Sequence, residues 1–275
     1  MDHSIRLGFI GAGTAAEFML QGLARGGYPA THATVFDPDA DRCGALRDML
    51  GVSVADSNQT LLHAVDAVVL AVKPQMLEEV LEELETADMA SPPLVISVAA
   101  GVRTSTLKKL LGEQWSVARV MPNTPAQLGA GISGVFVTPD ASEQQRQVAY
   151  DFGMAAGDAV WIPEEALMDV VTAVSGSGPA YYFLLTEVLQ RTAQELGLDP
   201  NTAARLASAT ALGAARMIDQ TGQSPAILRE RVTSPGGTTE RALDILRHGG
   251  FESLFQEAVV GAAIRGRELA EDMED

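Results

Sequence analysis

The segment Leu7-Gly8-Phe9-Ile10-Gly11-Ala12-Gly13-Thr14-Ala15-Ala16 joins an apolar run to an amphipathic one and carries the G-x-G-x-x-A spacing of a dinucleotide-binding turn. Gly11 permits the tight turn, Gly13 lets the backbone approach a pyrophosphate, and Ala16 lets a helix pack closely on a sheet. The helix that starts there offers free N–H groups and its positive dipole end to that pyrophosphate. Gly11, Ala12, Gly13, Thr14 and Ala15 are therefore the candidate cofactor-binding residues of this turn. Asp37 follows 24 residues after Gly13 at the end of a second strand-like run, where a carboxylate can accept from ribose hydroxyls and disfavours a 2′-phosphate. Arg42 is close enough in sequence to offset that charge, and Asp37-Pro38-Asp39 also reads as a plain turn and helix cap.

Four further clusters have types suited to a site. Ala71-Val72-Lys73-Pro74-Gln75 ends an apolar strand-like run, and Lys73 is one of only three lysines; the others, Lys108 and Lys109, fall on an exposed helical stretch. Met121-Pro122-Asn123-Thr124-Pro125 combines two prolines that stiffen the backbone with two hydrogen-bonding side chains. Ser175-Gly176-Ser177-Gly178-Pro179 leads into a long helix with Pro179 in its first turn, and Ser234-Pro235-Gly236-Gly237-Thr238-Thr239 repeats that design. Each of the last two gathers backbone N–H groups and hydroxyls suited to a carboxylate.

These residues need a scaffold, and the first half of the chain supplies an alternation of short apolar runs and amphipathic stretches. Strands are expected near 5–10, 34–36, 52–54, 67–72, 94–98, 117–120, 134–138 and 159–162, with helices such as 14–25 and 76–84 between them. The unbroken apolar run 67–72 fits a parallel strand covered on both faces. Beyond Pro163 the pattern turns helical through 181–196, 202–221, 225–232, 238–246 and 251–272. The expected fold is α/β: a doubly wound, mostly parallel sheet of Rossmann type in residues 1–163, then an all-helical domain in 164–275. Its Ala-rich helices are apolar on more than one side and call for a partner subunit. The acidic tail 268–275 is expected to fray in solvent.

Charge and cysteine usage remove other classes. With 36 Asp and Glu against 19 Lys and Arg, the net charge of −17 argues against nucleic acid or an anionic membrane as partner. The single Cys43 rules out an intrachain disulfide and a multi-cysteine metal site, and suits the reducing cytoplasm. Met1-Asp2-His3 runs straight into the first strand with no basic leader and no bilayer-length apolar stretch. His3, His32, His63 and His248 all fall outside the clusters, and no lysine follows Lys109. Alcohol–ketone chemistry needs a positioned proton carrier, usually His, Lys or Tyr, so a hydroxyacid dehydrogenase relying on a lysine in its helical domain is disfavoured, whereas an imine nitrogen can be protonated in neutral water before it meets a hydride.

GFIGAG at 8–13, AVKPQ at 71–75, MPNTPA at 121–126, VSGSGPAY at 174–181 and SPGGTT at 234–239 resemble the pyrroline-5-carboxylate reductase family, in order and over nearly the whole chain. The resemblance implies reduction of a cyclic imine to proline with NADPH or NADH, both expected to be accepted, and a homodimer or a higher oligomer such as a decamer. It assigns Thr239 as catalytic partner of the ring nitrogen and the amides of Gly237 and Thr238 to the substrate carboxylate. Ser175, Ser177 and Pro179 would form the pocket wall, with Val72, Lys73, Pro74 and Asn123 on the cofactor side. The family commonly has Asn-Met after Gly13; here Thr14-Ala15 stands there, with Thr14 expected to cap the helix. A same-architecture reductase of another cyclic imine and a non-catalytic dinucleotide-binding regulator are the competing readings. No metal site is expected.

Overall fold

The computed structural model describes residues 2, 4–84, 89 and 92–273; His3, part of the expected N-terminal run, lies outside them. Eight strands form one sheet: β1 Leu7–Ile10, β2 Ala33–Phe36, β3 Ser53–Val54, β4 Ala67–Leu70, β5 Leu94–Ser97, β6 Val117–Met121, β7 Gly131–Val137 and β8 Gly157–Trp161. Their order is β3-β2-β1-β4-β5-β6-β7-β8, parallel except that β7 runs against β6. Helices α1 Thr14–Arg25, α2 Ala40–Leu50, α3 Asn58–Ala64, α4 Leu77–Glu82, α5 Thr104–Leu111 and α6 Glu143–Met154 connect them. From Met168 onward come α7 Met168–Val171, α8 Gly178–Glu195, α9 Pro200–Thr221, α10 Pro225–Arg231, α11 Thr238–His248 and α12 Phe251–Glu271. The expected α/β architecture with a helical C-terminal part is the observed one.

The sheet is covered on both faces, which explains the unbroken apolar strands. Leu7, Phe9, Val35, Ala67 and Val69 pack on one face with Ala16, Met19 and Leu20 of α1 and Phe152 of α6. Ile10, Val68, Leu70 and Val95 pack on the other with Leu61, Leu77, Leu107 and Trp115. Successive residues of one strand thus enter opposite cores, so polar residues have no place there. Ser97 in β5, Ser133 in β7 and Arg119 in β6 are the buried exceptions among the described strand residues, and Arg119 is the charged one.

Strands do end at Trp161, and the rest is helical, but packing divides the chain differently from secondary-structure type. One compact unit runs to Ser177 and takes in the chain from Ala262 onward; the other is Gly178–Gly261. The final turns of α12 belong to the first unit, where Leu269 lies against Gly101, Gly266 faces Asp169, and Ala270 is buried. Helix therefore persists to Glu271 in the stretch expected to fray, while residues 274–275 lie outside the described ones.

The starts of β1 and β4 are joined by Arg6 and Asp66. Oδ2 of Asp66 accepts from the Arg6 backbone N–H at 2.8 Å and from Nε at 3.1 Å, and Oδ1 accepts from Nη2 at 2.8 Å. The hydrogen bonds from Arg6 hold the Asp66 carboxyl below its usual range. Stability from a depressed carboxyl is present above the unfolded pKa and is lost as pH falls through the folded one, here below about pH 4. Both side chains are well exposed, so screening limits the pair to about 0–1 kcal/mol. Asp66→Asn should lower the urea midpoint slightly at pH 7, and the gap to the parent should narrow as pH falls below about 4; an unchanged gap would assign the loss to packing.

Candidate active site

The strand order reverses between β1 and β4, so their C-terminal ends form the crevice where ligands of such sheets bind. Gly11 leaves β1 there with φ +98°, its N–H donating to Phe36 O at 2.8 Å, while Ala71 N donates to Ile10 O at 2.8 Å. A Cβ on Gly11 would come within 2.9 Å of the Ala71 carbonyl and of Val72 Cγ1. The turn is thus seated against the Ala71-Val72 backbone, and only glycine fits. Gly13 differs: nothing lies within 4 Å of where its Cβ would be. The backbone is open on that side, as a pyrophosphate cradle requires.

Gly13 is also the N-cap of α1, with no side-chain cap. This corrects the expectation for Thr14, which is the first helical residue and so lies past the capping position. Ala12 is committed within the turn. Its N–H donates to Asp37 Oδ2 at 2.9 Å, so it is taken, and the free N–H groups are those at the helix start. Asp37 Oδ1 accepts from Asp39 N at 2.9 Å. The carboxylate therefore ties the glycine turn to the end of β2, with two of its about four acceptor sites still open.

Val72, Lys73 and Pro74 follow Ala71 just past the end of β4. Lys73 is exposed, and its ammonium has no ion-pair partner among the described residues; Pro74 opens a single 3₁₀ turn, Pro74–Met76. Lys108 was expected to be exposed, but its ammonium lies 3.0 Å from Asp140 with the side chain largely covered. His63 pairs with Gln59 at 2.8 Å and His248 with the Asp244 carbonyl at 2.7 Å, each along its own helix. Among the described residues no group of three or more His, Cys, Asp or Glu could hold a metal.

Asn123 holds the serine-rich segment in place. Between α7 and α8 the chain forms one π turn, Thr172–Gly176, in which Ser177 N donates to Thr172 O at 2.8 Å. Pro179 has no N–H, so the Ser175 carbonyl lacks its usual partner four residues on. Asn123 Nδ2 donates to it at 3.1 Å, and Oδ1 accepts from Ile132 N at 3.0 Å. Ser175 Oγ donates to Val171 O at 2.9 Å. Asn123 and Ser175 are thereby brought together, although neither was expected to touch the other.

The sequence reading also missed a buried cluster. Arg119 Nη1 lies 3.1 Å from Glu165 Oε1, which also accepts from Thr104 N at 2.7 Å, while Thr104 Oγ1 donates to Oε2 at 2.6 Å. Arg119 is 4% exposed. Glu165 thus caps α5 from 61 residues away and anchors the segment that leads to the π turn. A lone arginine in the apolar run Val117-Ala118-Arg119-Val120 was the available signal.

The last cluster lies at the start of α11. Gly237 is its N-cap, without a side-chain cap, and Thr238 and Thr239 are its first two residues. Glu240 reaches back to accept from Gly236 N at 2.7 Å. Thr239 is half-buried, and its hydroxyl makes no hydrogen bond among the described residues. The arrangement offers an anion the free N–H groups of a first turn beside an uncommitted hydroxyl.

Two predictions follow from these contacts. Gly13→Val should abolish dinucleotide binding in calorimetric titration while costing about 1 kcal/mol or less of stability, because the fold leaves room for the side chain and only the cap is poorer. Unchanged affinity would make the glycine turn structural only. Asn123→Ala should lower the unfolding free energy by about 1–3 kcal/mol, the loss of two partly buried hydrogen bonds; a neutral result in denaturant titration would show that water replaces the amide.

The comparisons agree with this geometry. Residues 165–269 match the family model described as pyrroline-5-carboxylate reductase dimerisation, and residues 6–101 match one described as NADP oxidoreductase coenzyme F420-dependent. A pyrroline-5-carboxylate reductase of Pseudomonas aeruginosa is 42% identical over 98% of each chain, and one of Glycine max is 40% identical over 98% of this chain and 97% of its own. Among solved structures, that of the Coxiella burnetii enzyme aligns with a TM-score of 0.90 at 39% identity, covering 97% of this chain and 98% of its own. The Plasmodium falciparum pyrroline carboxylate reductase with NADP bound aligns at 0.85 and 26% identity, covering 98% and 99%. Identity at this level over the full length, on a fold that seats the glycine turn at the sheet's reversal point, places the chain in the pyrroline-5-carboxylate reductase family.

Proposed function

We propose that this chain reduces 1-pyrroline-5-carboxylate to L-proline at the expense of NAD(P)H, the last step of proline biosynthesis. The observation that carries this reading is the start of α11, where a glycine N-cap leaves the first-turn N–H groups free beside the unpartnered Thr239 hydroxyl. The start of α1, Gly13–Ala15, offers the dinucleotide pyrophosphate its free N–H groups above the Gly11–Ala12 turn, whose own N–H groups are taken, and Asp37, Val72, Lys73, Pro74 and Asn123 line the rest of the dinucleotide site. When bound, its dihydronicotinamide supplies the hydride. The Thr238 backbone N–H holds the substrate carboxylate, over Gly237, whose own N–H donates to Ser234 O at 3.0 Å and whose missing side chain leaves the approach open, and Ser175, Ser177 and Pro179 shape the wall that orients the ring.

The imine nitrogen arrives protonated from water, so no histidine or lysine has to deliver that proton. Thr239 Oγ first accepts from the N–H of the iminium. As hydride adds to the ring carbon, the C=N π electrons move onto nitrogen. The same hydroxyl can then turn and donate to the new amine lone pair. Loss of nicotinamide absorbance with synthetic pyrroline-5-carboxylate tests the reading directly, and no oxidation of either cofactor over a wide pH range would overturn it. A six-membered cyclic imine in the same assay measures ring-size selectivity, for which a pocket distinguishes one methylene by about 1–3 kcal/mol.

Residues 164–275 serve as substrate and dimerisation domain. Phe183, Leu184 and Leu212 on α8 and α9 are more than half exposed, and burying such faces contributes about 25 cal/mol per Å². A second copy of the chain is the occupant. No described helix is long and apolar enough to cross a membrane, and with a single buried cysteine we assign the enzyme to the cytoplasm.

Thr239→Val keeps the shape and removes only the polar contact. The expected result is a fall in kcat/KM of about ten- to a hundredfold with dinucleotide affinity and melting temperature nearly unchanged. A variant that loses stability but keeps its turnover would reduce Thr239 to a helix-start residue. Sedimentation at nanomolar concentration should show a dimer, or a larger assembly such as a decamer by its mass; a folded, active monomer would refute the assignment of the helical surface.

A further inference from the structure

The end of β2 is committed to carboxylates in a way that bears on which dinucleotide the chain takes. Asp37 is held by two backbone donors, Ala12 N and Asp39 N, both at 2.9 Å. Two acceptor sites remain on that carboxylate, a match for the adjacent 2′- and 3′-hydroxyl donors of an adenosine ribose. Asp39 then caps α2, its Oδ1 accepting from Asp41 N at 3.2 Å and Arg42 N at 3.4 Å. The positive end of α2, which would otherwise receive a phosphate, already holds an anion. Arg42, the one nearby cation in sequence, is tied to Asp39 with Nε 3.2 Å from Oδ2. Asp41 adds a third carboxylate in the same first turn.

We infer that the chain discriminates against the 2′-phosphate and prefers NADH, with Asp37 as the hydroxyl acceptor and Asp39 as the residue that withholds both the α2 N-terminus and Arg42 from a phosphate. The inference rests on the reading of the first unit as a dinucleotide-binding domain. A 2′-phosphate would replace a donor with a dianion beside fixed carboxylates, acceptor against acceptor, with its natural counter-ion occupied. The family model's description and the Plasmodium falciparum structure both name NADP, so this chain would differ from them at these residues.

Equilibrium titration of the full-length protein with NADH and with NADPH, followed by nicotinamide fluorescence without substrate, tests this independently of turnover. NADH should bind at least about tenfold more tightly, equivalent to about 1.4 kcal/mol. Asp37→Ser should weaken NADH and shrink the ratio by about tenfold or more. Because Asp37 also holds the glycine turn, Asp39→Ser is the decisive second variant: serine still caps α2 but frees Arg42, so NADPH affinity should rise several-fold while NADH affinity stays put. Parent protein that binds NADPH as tightly as NADH, or an Asp39→Ser variant with an unchanged ratio, overturns the inference and leaves the reductase assignment intact. If neither dinucleotide binds, the dinucleotide-domain reading itself fails.

Discussion

An anion can be held by backbone N–H groups only if no side chain already occupies them. In this protein six of the twelve described α-helices start with a side chain in that place. Asp39 caps α2, Ser57 caps α3, Ser142 caps α6, Asp199 caps α9 and Ser224 caps α10. Helix α5 begins without a local cap, and Glu165 supplies one from a distant part of the chain. Helices α1 and α11 instead start on glycine with nothing in the capping position. Helices α4 and α7 also lack a side-chain cap, but each continues a 3₁₀ turn, whereas α1 and α11 start from a loop on glycine and leave their first N–H groups for a ligand.

The rest of the first unit can be understood as support for one of those openings. The reversal of strand order brings β1 and β4 side by side, and the two apolar cores on either face of the sheet fix both strands. Gly11 then turns sharply against Ala71 while Asp37 ties the loop to β2. Each of these contacts constrains backbone, so the direction of the free N–H groups is set before any cofactor arrives, which lowers the ordering cost of binding.

Much of this was legible from residue types. Glycine, proline and capping residues mark ends, so α1 was expected at 14–25 as observed, and α10 and α11 start at Pro225 and Thr238 as read. Strand cores were legible because apolar runs have few alternatives, but their ends slipped: β7 begins at Gly131, hidden by its glycines, and β4 stops at Leu70 before the turn at Pro74. Contacts between distant residues left no periodic trace. The Asn123–Ser175 bond could have been sought from Pro179, whose missing N–H leaves a carbonyl to be satisfied, yet nothing local names the donor. The Asp37–Ala12 bond was obscured because Asp-Pro-Asp fits a ribose acceptor and a turn equally well.

The packing of α12 also orders events in time. Since the chain from Ala262 onward completes the first unit, the residues 178–261 form an insertion within it rather than an appendage after it. A ribosome releases the contacts around Gly101 and Asp169 last, when the inserted helices have already emerged. Until then the surface awaiting Leu269 and Ala270 is bare, so the nascent chain carries a first unit whose sheet is complete at Trp161 but whose last cover arrives only with the final turns of α12.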